Sequence, residues 1–546
     1  MQVKKIIYII TFILFINEGF AQSFKAEASI LFNDNIGVPV LLMKNGNTVF
    51  QNSDENKKMY LTIFDKDHKA IVIKKQVTFK KAVFFDNPSP EKKSNILNWI
   101  ELNGKIALYL KSGVKAFKVT VDPTTGNVED EAEMPALQFE KEGIYGSVCT
   151  EEKSANGDYK FIRACSSTLE KDEIDATTGN YLQINSTRKF LSKEQVLQHK
   201  NFDDIQTYEI KIFNSSNQEV QTVKLDYMDK KYNYGYSEAM LFDNNVIYFV
   251  LSMSKMVDKE TYDGGENTIY FSKYDLGTKK FTHTELFKTR TSIAGCTMFP
   301  NKDNTFFNLK FISEAGTKDY QIFYDIFFIP FDATNFTAGK KFNLSSDKLN
   351  AFVKSNCNMS EGYGDGMMDK FFVDKEGNIT TSRIKNVLAG SSLTKGFIYT
   401  LDPELIGISR FDKAGNEIGG WAYPWRNKGI PLGVFEIKNN FSYTIVSGPK
   451  SNFIFLNDLT DNYNLPLDKK HVSAKLIEDC NAMAIELTST GVKQYYLFGQ
   501  PTGGKDANRY VDFTNALYDE KTNTLIVREY EGPGCKKTHA AWIKID

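Results

Sequence analysis

Three short segments hold the side chains best suited to chemistry. In Gly419-Gly420-Trp421-Ala422-Tyr423-Pro424-Trp425-Arg426, three aromatic rings stand beside a guanidinium. Trp421, Tyr423, Trp425 and Arg426 could stack on a sugar ring or a peptide. The same alternation also suits an outer strand that packs Trp421 and Tyr423 on a neighbouring sheet. The second and third segments are Tyr262-Asp263-Gly264-Gly265-Glu266-Asn267 and the glycine-rich run from Glu361 to Asp369. They set Asp263, Glu266, Asp365 and Asp369 on glycine-permissive backbone, which can wrap a hard cation such as calcium. Neither keeps the ligand order of an EF-hand loop, and a solvated turn accounts equally for both.

The remaining reactive side chains form no motif. The five histidines show neither HxH nor HExxH spacing, no GxSxG occurs, and no GxGxxG follows a strand. No catalytic residue is therefore named. Of six cysteines, Cys149 and Cys165 lie symmetrically about Gly157 in the turn Ser154-Ala155-Asn156-Gly157-Asp158. Opposed positions on such a hairpin approach closely enough for a disulfide. Two buried free thiols are the alternative. No pair has CxxC spacing, which argues against a zinc or redox site.

The elements that must position these residues are hairpins. An alternating apolar run ends on Asp or Asn, turn residues follow, and a second run returns. Phe117 to Asp122 before Pro123-Thr124-Thr125-Gly126-Asn127 is one example, and Ile408 to Asp412 before Lys413-Ala414-Gly415-Asn416 is another. Period-two runs bury one face, while Asp followed by Gly-Asn takes the turn. Another hairpin type usually precedes this one, as at Ala239 to Leu251, so four-stranded units recur along the chain. Candidate units lie near 36–80, 98–135, 146–227, 238–288, 295–345, 357–422, 433–467 and 480–546. A small sheet has two faces to cover, and a closed ring covers both with neighbours.

The expected fold is thus an all-β propeller of seven, alternatively eight, four-stranded blades in one domain over 22–546. Tandem β-sandwich domains are the alternative. A strand within Phe24 to Phe32 is expected to complete the last blade. Residues 166–206 read as an insertion with a short helix at Ser192 to His199, where Ser192 and Gln195 form a capping box. Asn95 to Glu101 fits helix or strand.

The N-terminus reads as a secretory signal over 1–21. Lys4 and Lys5 precede an apolar run from Ile6 to Ile16, and Gly19 and Ala21 fit a cleavage site. The run is too short to span a bilayer, and no later stretch is apolar enough for a transmembrane anchor. A periplasmic or extracellular location follows. The chain carries 67 Lys and Arg against 68 Asp and Glu. Without the leader's Lys4, Lys5 and Glu18 the net charge is −2, which gives no field for nucleic acid.

The signal ending in Phe20-Ala21-Gln22 and the Phe-Asp-x-x-Gly-Asn hairpins resemble uncharacterised exported propeller-like proteins of the Bacteroidota. The resemblance implies no catalytic residues. The sequence therefore suggests a non-enzymatic envelope or secreted protein whose ring face binds a protein, peptide or glycan. The alternative is a polysaccharide hydrolase or lyase with carboxylates meeting at the axial mouth.

Overall fold

The computed structural model describes residues 24–546 except 55–57, 85–94, 113–114, 135–147, 154–158, 166–170, 192–205, 226–233, 255–266, 292, 302, 319–320, 358–366, 375, 394–395, 427–429, 432–441, 449–450 and 489–490. Eight antiparallel sheets succeed one another as the blades of a propeller. They span 38–77, 96–134, 148–225, 234–289, 293–338, 367–431, 443–496 and 509–545, the last joined by 24–28. We number them blades 1 to 8 in that order. First strands of neighbouring blades touch where blade 1 meets 2, 4 meets 5, 5 meets 6, 7 meets 8 and 8 meets 1. Tight turns joining first to second and third to fourth strands lie on one side, the hairpin face. Longer connections lie on the other, the loop face.

Alternation explains the core. In blade 4 the strand Asn267–Asp275 buries Ile269 and Phe271 toward blade 5. There Phe271 meets Phe307 at 5.2 Å and Phe331 at 4.0 Å between ring centroids. Each such ring removed from water contributes roughly 1.5–3 kcal/mol. Turns are fixed by carboxylates. Asp122 accepts the Thr124 N–H at 2.7 Å, the Thr124 hydroxyl at 2.6 Å and the Thr125 N–H at 3.2 Å. Those donors hold its pKa well below the usual carboxylate range. Gly126 of that turn has φ +69°, and a Cβ there would press on Val72 and Lys75 of blade 1 at 3.0 Å.

Polar groups lock adjacent blades. The Tyr109 hydroxyl of blade 2 donates to the Gly179 carbonyl of blade 3 at 3.3 Å. In the same way, Asn308 of blade 5 reaches the Gly377 carbonyl of blade 6 at 3.4 Å. The ring closes as expected: Phe24–Ala28 pairs antiparallel with Lys537–Ile545, from Phe24 opposite Ile545 to Ala28 opposite Ala541. Across the seam to blade 1, His68 stacks on Trp542 at 3.9 Å and meets Glu27 at 3.2 Å.

Three local features differ from the sequence expectation. The gap expected between the units 433–467 and 480–546 falls inside blade 7, within a loop over 459–480 that joins Asn452–Asp458 to Asn481–Thr488. Its Asn, Asp and Pro residues look the same whether a loop joins strands or blades. Within 166–206, Tyr181–Leu191 is a strand of blade 3, whose sheet has five strands. The helix expected at 192–199 lies outside the described residues. Among the described residues the α-helix is α1 (Asp347–Asn356), which joins blades 5 and 6. It packs Leu349 and Val353 onto blade 6, where a Cβ at Gly420 would stand 2.1 Å from the Leu349 nitrogen. Ile96–Leu102 resolves the ambiguous segment as the first strand of blade 2.

Candidate functional site

Among the described residues a cleft of about 840 Å³ lies on the hairpin face, bounded by blades 6, 7 and 8. Blade 6 provides one wall with Phe372, Asp374 and Arg410, and blade 8 the opposite wall with Tyr518 and Lys521. The first strand of blade 7, Tyr443–Ser447, lies between them and lines the cleft from Thr444 onward. That strand ends its sheet, so half of its backbone groups face away from the blade.

Each wall is set by its own turn. Asp374 accepts the N–H groups of Glu376 at 3.0 Å and Asn378 at 2.8 Å, and the Asn378 amide at 2.9 Å. The Arg410 guanidinium adds a contact at 3.1 Å. In blade 8, Asp519 holds the Thr522 N–H at 3.0 Å and so fixes the turn that presents Glu520 and Lys521. The Tyr518 hydroxyl donates to Asn523 at 3.3 Å, and burial pushes its pKa up to about 12. Phe372 is exposed, as are Glu376 and Glu520 at their turn tips. The cleft therefore offers hydrogen-bonding groups, two cations, the exposed carboxylates of Glu376 and Glu520 and a partly exposed aromatic ring, while the Asp374 carboxylate is taken up by its turn.

The four residues of the aromatic segment run along the seam between blades 6 and 7, Trp421 nearer the hairpin face and Tyr423, Trp425 and Arg426 toward the loop face. Trp421 donates its indole N–H to the Thr488 carbonyl at 2.8 Å. Trp425 does the same to Asn457 at 3.0 Å and meets the Tyr443 ring edge-on at 5.6 Å. The Tyr423 hydroxyl donates to Asp458 at 2.8 Å. Arg426 pairs with Glu404 at 2.6 Å. Tyr423 and Trp425 are fully buried. Asp458 is buried too, and burial pushes its carboxyl up to about 6 against the opposing hydrogen bonds of Asn462, Tyr423 and the Leu459 N–H. His471, from the loop 459–480, packs edge-on against Tyr423 at 5.7 Å, and burial lowers its pKa.

Asp263, Glu266 and Asp365 lie outside the described residues. Asp369 falls at an irregularity in the strand Met367–Val373, and its side chain also lies outside them. Cys149 and Cys165 lie on the adjacent antiparallel strands Val148–Lys153 and Tyr159–Cys165. Cys149 occupies the bulge beside the Val148–Ala164 pair, and Cys165 stands opposite Asn185 on its other side. The turn at 154–158 and both thiols are outside the described residues.

Sequence reasoning missed the cleft because no single segment marks it. Asp374-Lys375-Glu376-Gly377-Asn378 reads like every other hairpin turn, and its neighbours across the cleft lie some 145 positions away.

No family model matches the chain, and no curated protein matches it. Solved structures do. The WD40 domain of SCAP from fission yeast is 7% identical with TM-score 0.34, covering 96% of this chain and 99% of that one. A prolyl endopeptidase is 8% identical with TM-score 0.32, covering 92% of this chain and 55% of that one. A member of the DUF4221 family from Bacteroides vulgatus is 13% identical with TM-score 0.23, covering 69% and 89%. At these scores nothing about ligand or activity passes to this chain. The class the geometry defines is an eight-bladed propeller with an open polar cleft. Among the described residues no helix is long and apolar enough to cross a membrane.

Proposed function

We propose that this chain is an exported binding or scaffold protein that uses the hairpin face of its propeller to hold a protein, peptide or glycan. The observation that carries the reading is the cleft over blades 6 to 8. Its volume, about 840 Å³, suits a short extended ligand. The polar side chains of Thr444, Ser447 and Asn452 line it without any hydrogen bond to a described residue. Partly exposed donors and acceptors that the fold does not use are what a ligand in such a concavity can engage. The charged run Lys4-Lys5, the apolar stretch and the small residues before Gln22 support export.

The test fills the cleft. Ser447→Trp should abolish retention of ligands selected by the wild type from peptide and oligosaccharide arrays, while the melting temperature holds. Retention unchanged in that variant would remove the cleft from consideration. Release of shortened sugars by the wild type, lost in the variant, would replace binding by hydrolysis or elimination.

A further inference from the structure

We propose that the cleft takes an extended peptide bearing carboxylate side chains, held between Arg410 and Lys521. The inference rests on the reading of the cleft as a binding site and adds the chemistry of its occupant.

Arg410 is the first observation. It stands on the third strand of blade 6, Gly396–Phe411, and its single hydrogen bond to a described residue is to Asp374. Its Nε is buried with no partner among the described residues. A guanidinium carries five N–H donors, so most of this one is unused. Asp374 does not require it. The third-to-fourth-strand turn of the same blade holds Asp412 through the N–H groups of Ala414 at 2.9 Å and Asn416 at 2.9 Å, and the Asn416 amide at 2.9 Å. Those are the three kinds of turn donor that Asp374 receives, and among the described residues no arginine pairs with Asp412. The turn is complete without a cation, so Arg410 is spare. A spare, planar, always-charged donor on a cleft wall suits a carboxylate.

Lys521 is the second. It lines the opposite wall, is exposed, and its ammonium forms no ion pair with a described residue. Two cations on facing walls suit a ligand with more than one acid along its length. Glu376 and Glu520 at the turn tips set a limit on charge, because they repel a ligand of unbroken negative charge. A chain whose acids alternate with neutral residues fits both signs.

The third observation chooses peptide over glycan. Tyr443–Ser447 is the terminal strand of its sheet and lines the cleft from Thr444 onward, between the two cations, while the Tyr443 carbonyl at its start is taken by the Lys370 ammonium. An extended peptide adds to such an edge by main-chain hydrogen bonds, and its alternate side chains then reach the two walls. Phe372, bare on the blade 6 wall, gives an apolar residue of the peptide a surface to cover.

Calorimetric titration of the purified chain tests this with three probes: a capped octapeptide alternating Thr and Glu, its Thr-Gln counterpart, and tetragalacturonate. The acidic peptide should bind about tenfold or more tightly than the Gln peptide. Its affinity should fall as salt rises from about 50 to about 500 mM. Lys521→Glu should weaken it about tenfold with the melting temperature unchanged, and Arg410→Gln should do likewise. Equal affinity for the two peptides, or wild-type affinity in Lys521→Glu, overturns the carboxylate assignment. Binding of tetragalacturonate with none of the acidic peptide overturns the choice of peptide. If the neutral peptide binds as well and Ser447→Trp abolishes it, the cleft stands as a site and only its charge preference falls. If Ser447→Trp binds every probe as the wild type does, the site itself falls.

Discussion

At the loop-face end of blade 7, Tyr423 and Trp425 spend their side-chain polar atoms on that blade and leave no room for a guest. At its hairpin-face end, Phe372, Thr444, Asn452 and Lys521 stand around open space. The two ends use similar residue types, aromatic rings beside cations. The difference lies in whether a partner is already supplied by the fold. Arg426 has Glu404, with its carboxylate at 2.6 Å, whereas Arg410 faces an aspartate whose own turn already satisfies it. Aromatic content therefore marks packing at one end, and unspent hydrogen-bonding capacity marks the site at the other.

Mutations at the two ends should separate stability from recognition. Trp425→Ala should cost about 3–5 kcal/mol in denaturant unfolding, since it empties a fully buried site. A loss under 1 kcal/mol would mean that the seam is loosely packed.

Asp458→Asn should show a pH signature of about 3 kcal/mol at most. The carboxyl ionises near 6 in the fold against 3.8 ordinarily. Its proton thus favours the folded state, so the contribution is full below the ordinary value and is lost as pH rises through about 6. The variant should equal the wild type near pH 4 and exceed it in unfolding free energy above pH 7. His471 is present in both proteins, so their difference isolates Asp458. Parallel stability–pH curves would show that Asp458 ionises normally.

Gly420→Ala should cost about 1–3 kcal/mol by driving α1 off blade 6, read from the unfolding midpoint. Phe372→Ser and Lys521→Glu, by contrast, should each change stability by less than about 0.5 kcal/mol. A larger loss in either would make the cleft wall part of the core and blur the contrast between the two ends.

The hairpins were legible because each carries its own instructions. Asp412 to Asn416 specifies a turn whatever surrounds it, and the alternation in Ile408 to Phe411 says which side is buried. The strand that closes the ring was legible because the last unit lacked a partner. Less legible were features that depend on the assembled ring. The loop 459–480 is held by Asn462, which exchanges hydrogen bonds with Val472 at 2.7 and 2.9 Å, a clasp that spacing alone does not announce. The role of Trp421 and its neighbours turned on which side of a strand met blade 7, and both readings suited the alternation. The cleft needs three blades at once, so no local pattern could reveal it.

The pairing of Phe24–Ala28 with Lys537–Ile545 orders events in time as well as space. Contacts at this junction join positions as far apart as Phe24 and Ile545, 521 residues in sequence. During synthesis the earliest segment must wait, unpaired, until the latest arrives, so assembly ends with a slow long-range step. Whatever is tethered ahead of Phe24 is then carried at the rim of blade 8, far from the axis, where a fused tag or a retained leader would burden the final fastening and leave the remaining seven blades untouched.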